Sequence, residues 1–273
     1  MEIFISLIIG LLAGAHTATW GMYKDAPHEG FTYRKYFRSI LLSGLIAVVI
    51  QLLTSLDVTL ASGIAVLFGV TYVVERAINE FNKTFLSEED QAKYTIPMRF
   101  AVLGKVVYDR RKRWLAGVAY AVAVLAAVAG VYLLQQADLK LSGFTTVLII
   151  GSIGGWISAF GGAWKDAPIE GFELLKFFTS PVVSLLYALM LASFTDNYLF
   201  ITFGALGYTI ASIETYKTFF FPDKPRGKFA GKPMPYPEML VRRNKFVPLY
   251  AAIWLAIIVT FAIALIQPHN GLI

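Results

Sequence analysis

The side chains best equipped for chemistry in this chain occur twice, in the same order. Tyr23-Lys24-Asp25-Ala26-Pro27-His28-Glu29-Gly30-Phe31 returns as Trp164-Lys165-Asp166-Ala167-Pro168-Ile169-Glu170-Gly171-Phe172, displaced by 141 residues and identical at seven of nine positions. Each copy sets a lysine beside two carboxylates four residues apart, and a further acid follows each copy at Glu75 and Glu214. Carboxylates grouped in this way can hold a divalent cation, which favours oxygen ligands, or stage protons and cationic substrates at a membrane. Lys24 and Lys165 can neutralise those acids or meet a phosphate headgroup. Lys24, Asp25, Glu29, Glu75, Lys165, Asp166, Glu170 and Glu214 are therefore the candidate ligand-binding or gating residues. Asp25, Glu29, Asp166 and Glu170 are the candidates for a metal, although the motif matches no metal signature.

Locally, the motif reads as the start of a helix. Asp25 and Asp166 can cap it, Pro27 and Pro168 fall where a first turn tolerates proline, and Glu29 and Glu170 would favour the positive end of the helix dipole. A purely structural account, a capped turn written twice, thus stands beside the functional one. It leaves the repeated Lys, Glu and Gly unexplained.

Other chemistry is largely excluded. With no cysteine there is no disulfide, thiol nucleophile, CxxC metal site or iron–sulfur cluster. GxSxG, HExxH, Walker A and dinucleotide GxGxxG motifs are missing. His16, His28 and His269 are scattered and unduplicated, so they form no haem or di-iron set. His16, inside an apolar run, reads as a side chain hydrogen-bonded to a neighbouring helix. The candidate groups are symmetric, whereas catalysis usually needs one asymmetric constellation, so the reading leans away from an enzyme. Composition selects no cofactor, and a pigment or quinone contact is not decided by it.

The elements that must position these groups are membrane helices. The chain has 273 residues, 57% hydrophobic and 15% charged, with mean hydropathy +0.62, whereas soluble domains carry roughly 25% charged residues. Runs of about 18 or more apolar residues can cross a bilayer. Eight candidates occur, at roughly Ile3–Tyr23, Ile40–Leu56, Leu60–Ile78, Trp114–Leu134, Phe144–Trp164, Val182–Phe194, Tyr198–Tyr216 and Val247–Ile266. The second and sixth are short, and each follows an aromatic–basic stem expected to lie in the headgroup region, with a kink or break at Pro181. The first run resembles a signal peptide at Ala13-Gly14-Ala15, but Glu2 replaces a basic n-region, so it is read as a retained helix.

Eight alternating spans put 23 of the 24 lysines and arginines on one side and only Lys140 on the other. The positive-inside rule makes the first side cytoplasmic, with both termini outside. The runs at 110–113 and 242–245 are then orienting signals and contacts for anionic lipid, not a nucleic-acid surface, despite a pI near 9.3.

The repeat extends beyond the motif, through Asp57 and Asp196, Glu75 and Glu214, and the Arg pairs before spans four and eight. The expected fold is an all-α integral membrane protein of eight transmembrane helices. It comprises two parallel four-helix repeats, residues 1–138 and 139–273, related by a pseudo-two-fold along the membrane normal. Small residues at four-residue spacing in spans one and five (Gly10, Gly14; Gly151, Gly155) suggest that these two cross near the axis. The proline-rich segment 221–237 breaks the symmetry and offers Lys224, Arg226 and Tyr236 to a partner, either another membrane subunit or a second copy. Three functions fit: a small transporter or permeation protein with a duplicated acidic cytoplasmic site, which is favoured; a non-catalytic subunit of a larger membrane complex; and an enzyme modifying lipid phosphates.

Overall fold

The structure, a computed structural model, describes residues 1–54, 56–137, 139–222, 227–267 and 270–273. Its regular structure is almost entirely helical, as an apolar chain without water to satisfy its backbone must be. The helices are α1 (Glu2–Glu29), α2 (Tyr33–Thr54), α3 (Ala61–Phe81), α4 (Arg110–Gln136), α5 (Gly143–Glu170), α6 (Leu174–Ala192), α7 (Tyr198–Phe219), the single turn α8 (Met239–Arg242) and α9 (Val247–Ile266). A π-turn, Asn82–Leu86, extends α3, and a two-residue hairpin pairs Ala101–Val102 with Lys105–Val106.

Seven stretches are long and apolar enough to cross a membrane: α1, α2, α3 with its π-turn, α4, α5, α6 and Met239–Ile266. These features make it a multi-pass all-α membrane protein. The remaining long helix, α7, has 22 residues and sits in the middle, its Ile201, Thr202, Ala205, Gly207, Tyr208 and Thr209 buried. A helix screened from lipid by its neighbours can carry Gly, Thr and Ser where a lipid-facing one carries Leu. The aromatic–basic stems form the first turns of α2 and α6, continuous with the apolar runs, and the expected break at Pro181 is corrected, since α6 continues through it.

Helices α1–α3 pack as one triad and α5–α7 as another, joined along α3 and α7. Backbones touch there: a Cβ on Gly207 would lie 2.0 Å from the Gly69 carbonyl oxygen. The expectation that α1 and α5 meet at the centre is corrected by this contact. Their small residues serve their own neighbours instead. A Cβ on Gly10 would lie 2.6 Å from Ala47 Cβ, and one on Gly14 would lie 2.6 Å from Ser39 O. The corresponding positions 141 residues on make corresponding contacts, Gly151 with Ala188 Cβ at 2.5 Å and Gly155 with Ser180 O at 2.5 Å. Small-residue spacing marks close approach but does not name the partner helix. The fourth long helix of each half crosses over, α9 packing on α3 and α4 on α7. α4 is loosely held, with 11% of its apolar window buried against 61% for α1.

Candidate functional site

The repeated motif ends a helix. Helix α1 runs through Pro27 to Glu29 and stops at Gly30, whose φ of 74° suits glycine alone. α5 does the same through Pro168 to Glu170 and stops at Gly171, φ 86°. The expectation that Asp25 and Asp166 cap a following helix is therefore corrected. The preceding apolar run continues in register, and the first residue able to stop the helix is the glycine. Proline inside the last turn has no N–H, so the Tyr23 carbonyl four residues back loses its helical donor. Arg243 takes that place, donating from Nη1 to Tyr23 O at 2.9 Å with its guanidinium 4.2 Å from the Tyr23 ring centre.

Acids at a helix C-terminus sit at the unfavourable end of the dipole and need cations. In the first copy Lys228 Nζ lies 2.7 Å from Asp25 Oδ2 and 3.9 Å from Glu29 Oε1. Glu29 also accepts from Tyr94 Oη at 2.8 Å and pairs with Lys35 at 3.5 Å and Lys93 at 3.6 Å. In the second copy one lysine serves both acids, Lys176 lying 3.7 Å from Asp166 and 3.0 Å from Glu170. No three His, Cys, Asp or Glu side chains among the described residues come together as a metal set. Each Asp–Glu pair holds an ammonium between its two acids.

The environments of the two copies differ. The segment after α7 roofs the first: His28 stacks on Phe229 at 4.3 Å, Tyr236 N donates to Pro27 O at 3.1 Å, and the Tyr236 ring lies over Gly30. Tyr236, a candidate for an external partner, thus meets this chain's own motif, while Lys224 and Arg226 lie outside the described residues, as does His269. The loop after α3 reaches the second copy. Trp164 Nε1 donates to Ala101 O at 3.0 Å, Lys165 Nζ contacts Met98 Sδ at 3.4 Å, and the hairpin turn at Leu103 and Gly104, both with positive φ, rests on Pro168 and Ile169. The two loops also meet each other, Thr95 N donating to Lys228 O at 2.7 Å. Between them, burial pushes the Tyr94 phenol up, and the Glu29 and Glu89 carboxylates push it further. Burial would raise Glu89, but the Tyr94 hydroxyl and Lys93 outweigh it and hold this carboxyl below its usual range.

The duplicated acids Glu75 and Glu214 part company. Glu214 pairs with Lys24 at 3.5 Å, tying α7 to α1. Glu75 is fully buried, accepts from Asn79 through Oε1, and has no protein partner at Oε2. Lys165, which corresponds to Lys24, pairs with no carboxylate among the described residues.

Residues outside the predicted set complete the site. His16, Trp20 and Lys24 recur every fourth residue on α1, as do Tyr72, Arg76 and Glu80 on α3, and the two stripes face each other. His16 Nδ1 lies 3.1 Å from Tyr72 Oη, Trp20 Nε1 donates to the same oxygen at 2.8 Å, and Arg76 lies 5.0 Å from the Trp20 ring centre. Arg76 pairs closely with Glu80, which Lys83 also approaches at 3.7 Å. Behind His16, Tyr250 stacks at 4.3 Å and Trp254 meets it edge-on. Comparison with family models, curated proteins and solved structures returns no match, so the site is read from its own chemistry.

Proposed function

We propose that the chain crosses the membrane eight times, with both termini outside, as two parallel four-helix units about a pseudo-two-fold along the membrane normal. In this reading it is a small transporter or permeation protein whose cytoplasmic ionic network is a gate. The observation that carries the reading is the unequal pairing of corresponding groups. Lys24–Glu214 is made at 3.5 Å, while Lys165 and Glu75, the corresponding pair at offsets of 141 and 139 residues, stand apart. Two interchangeable locks on one face, one engaged and one open, give a cytoplasmic gate two distinct states. The matched contacts at Gly10 and Gly151, and at Gly14 and Gly155, support the repeat. The one-sided charge supports eight crossings.

The test is charge movement across reconstituted membranes on concentration jumps of Na⁺, K⁺, H⁺, phosphate and mixed amino acids. At least one jump should evoke a current that Asp25→Asn with Asp166→Asn reduces at least tenfold while the helical content is kept. Silence to every probe, with the chain migrating in a much larger native assembly, would instead favour the subunit reading. One observation supports that alternative: α4 leaves nearly nine-tenths of its apolar window uncovered, including Trp114, Leu115, Val122 and Leu125.

A further inference from the structure

Buried polar atoms in an apolar surround cost free energy unless they are hydrogen-bonded, and folded proteins leave few of them unmatched. Among the described residues, the fully buried side-chain atoms without a protein partner inside the helices are strongly biased to one half. Ser6 Oγ, His16 Nε2, Asp25 Oδ1, Ser43 Oγ, Gln51 Oε1, Thr71 Oγ1 and Glu75 Oε2 belong to α1–α3, against Thr218 Oγ1 in α7 and Arg113 Nε in α4. In the other triad Ser184, the counterpart of Ser43, donates to Gly151 O at 2.8 Å, and Thr209 donates to Ala205 O at 2.7 Å. Val147 and Ala192 stand where Ser6 and Gln51 stand in the first. The repeated architecture therefore does not require Ser6, His16 or Gln51, which correspond to Val147, Ile157 and Ala192, while Ser43 and Glu75 keep Ser184 and Glu214 as counterparts that do find partners.

Their heights follow from the helix register. At the outer end Gln51 Nε2 donates to Glu2 Oε2 at 3.1 Å. Ser6 lies one turn further in on α1. Ser43 comes next, its Cβ 2.9 Å from where a Gly14 side chain would begin. Thr71 neighbours Tyr72, which meets His16, and Glu75 lies one turn beyond, beside Arg76, which stacks on Trp20. From Glu2 to Trp20 the rise along α1 is about 27 Å, close to the roughly 30 Å of a bilayer's hydrocarbon core. Most steps are about one helical turn, which one water can bridge, and the longest, about 12 Å from Ser6 to the level of Gly14, needs two or more waters in file.

We propose that the α1–α3 triad is a proton path, entering at Glu2 and Gln51, relayed by Ser6, Ser43, Thr71 and His16, and delivered at Glu75. The proton is the ligand that fits, because the track offers hydroxyls, an amide, one imidazole and one carboxyl, with no ring of charges to replace a metal cation's hydration shell. Ser39 of α2 faces Glu75, and the charged groups around it are Arg76, Glu80 and Lys83 of its own helix and its π-turn. Arg76 and Lys83 both converge on Glu80. Glu75 is thus left as the acid able to take up and release the proton. This inference names the ion for the proposed transport reading and rests on it.

The experiment is proton uptake into vesicles containing the full chain and a trapped pH-sensitive dye, driven by a valinomycin-clamped K⁺ gradient. Wild-type protein should raise the rate at least tenfold over protein-free vesicles. Glu75→Gln should remove at least nine-tenths of that increase, and Ser43→Ala with Thr71→Val, which preserves packing volume, should lower it several-fold. Each variant is checked for native elution and helical content, so the second keeps the test decisive if the first does not fold. A wild-type rate equal to protein-free vesicles, or Glu75→Gln equal to wild type, overturns the proton path. Currents evoked by another ion alongside a null proton result would leave the transport reading standing and this inference fallen.

Discussion

Asp25 and Lys228 illustrate what a charge at a helix end demands. The aspartate sits in the last turn of α1, where the dipole opposes it, and its ion pair is largely shielded from water. Lys228→Met should therefore cost about 3 kcal/mol of stability, while adding Asp25→Asn should recover most of the loss. Thermal midpoints of the two single variants and the double variant in detergent measure this coupling. Additive losses would show that the pair contributes nothing. Arg243 and Pro27 make a second coupled set: Arg243→Met should destabilise the wild type more than a Pro27→Ala protein, in which the backbone N–H regained at position 27 can again reach the Tyr23 carbonyl. Glu89 adds a pH dependence. Its folded pKa lies below the unfolded one, so its contribution is present above the unfolded value of about 4.3 and is lost as pH falls through the lower folded value. The thermal midpoint should drop on acidification below about pH 4, and Glu89→Gln should flatten that drop.

At the scale of helices, the α3–α7 contact is the most demanding in the fold. Gly207→Ala places a methyl against the Gly69 carbonyl, and relieving that overlap should cost about 1–3 kcal/mol. Gly161→Ala, with open space around it on α5, should be neutral or gain up to about 1 kcal/mol from helix propensity. Unfolding midpoints distinguish the two, and equal effects would contradict the packing. The helices themselves were legible in the sequence, since long apolar runs have few alternatives in lipid. The ends of α1 and α5 are not legible locally, because Asp-x-Pro resembles a helix start when only neighbouring residues are weighed, and Gly30 and Gly171 decide the matter. Which helices touch was illegible, because Gly10 and Gly69 look alike as small residues. The polar track escaped too: single Ser, Thr and Gln side chains vanish in a hydropathy average, whereas the ionic motif stood out as charge. The facing stripes of α1 and α3 had a signal in their four-residue spacing.

For the molecule as a whole, the absence of cysteine makes topology directly testable. A single cysteine at Gln91 should react with an impermeant maleimide only from the cytoplasmic side, and one at Lys140 only from the other. Labelling of both from the same side would remove the eight-span reading together with its two-fold.

The roofs over the two motifs are exchanged between halves. Residues 227–246 of the second half close over α1 of the first, and residues 98–104 of the first rest on α5 of the second. Each half takes much of its cover from the other, so the fold behaves like clasped hands. If the backbone were severed within 139–142, the two fragments would still grip one another, whereas each made alone would lose the loop that covers its helix end, keeping only its own cations there, Lys35 and Lys93 on Glu29 and Lys176 on Asp166 and Glu170. Co-production of the fragments should restore an intact particle that neither yields separately, which makes the polypeptide link between them dispensable once both halves are inserted.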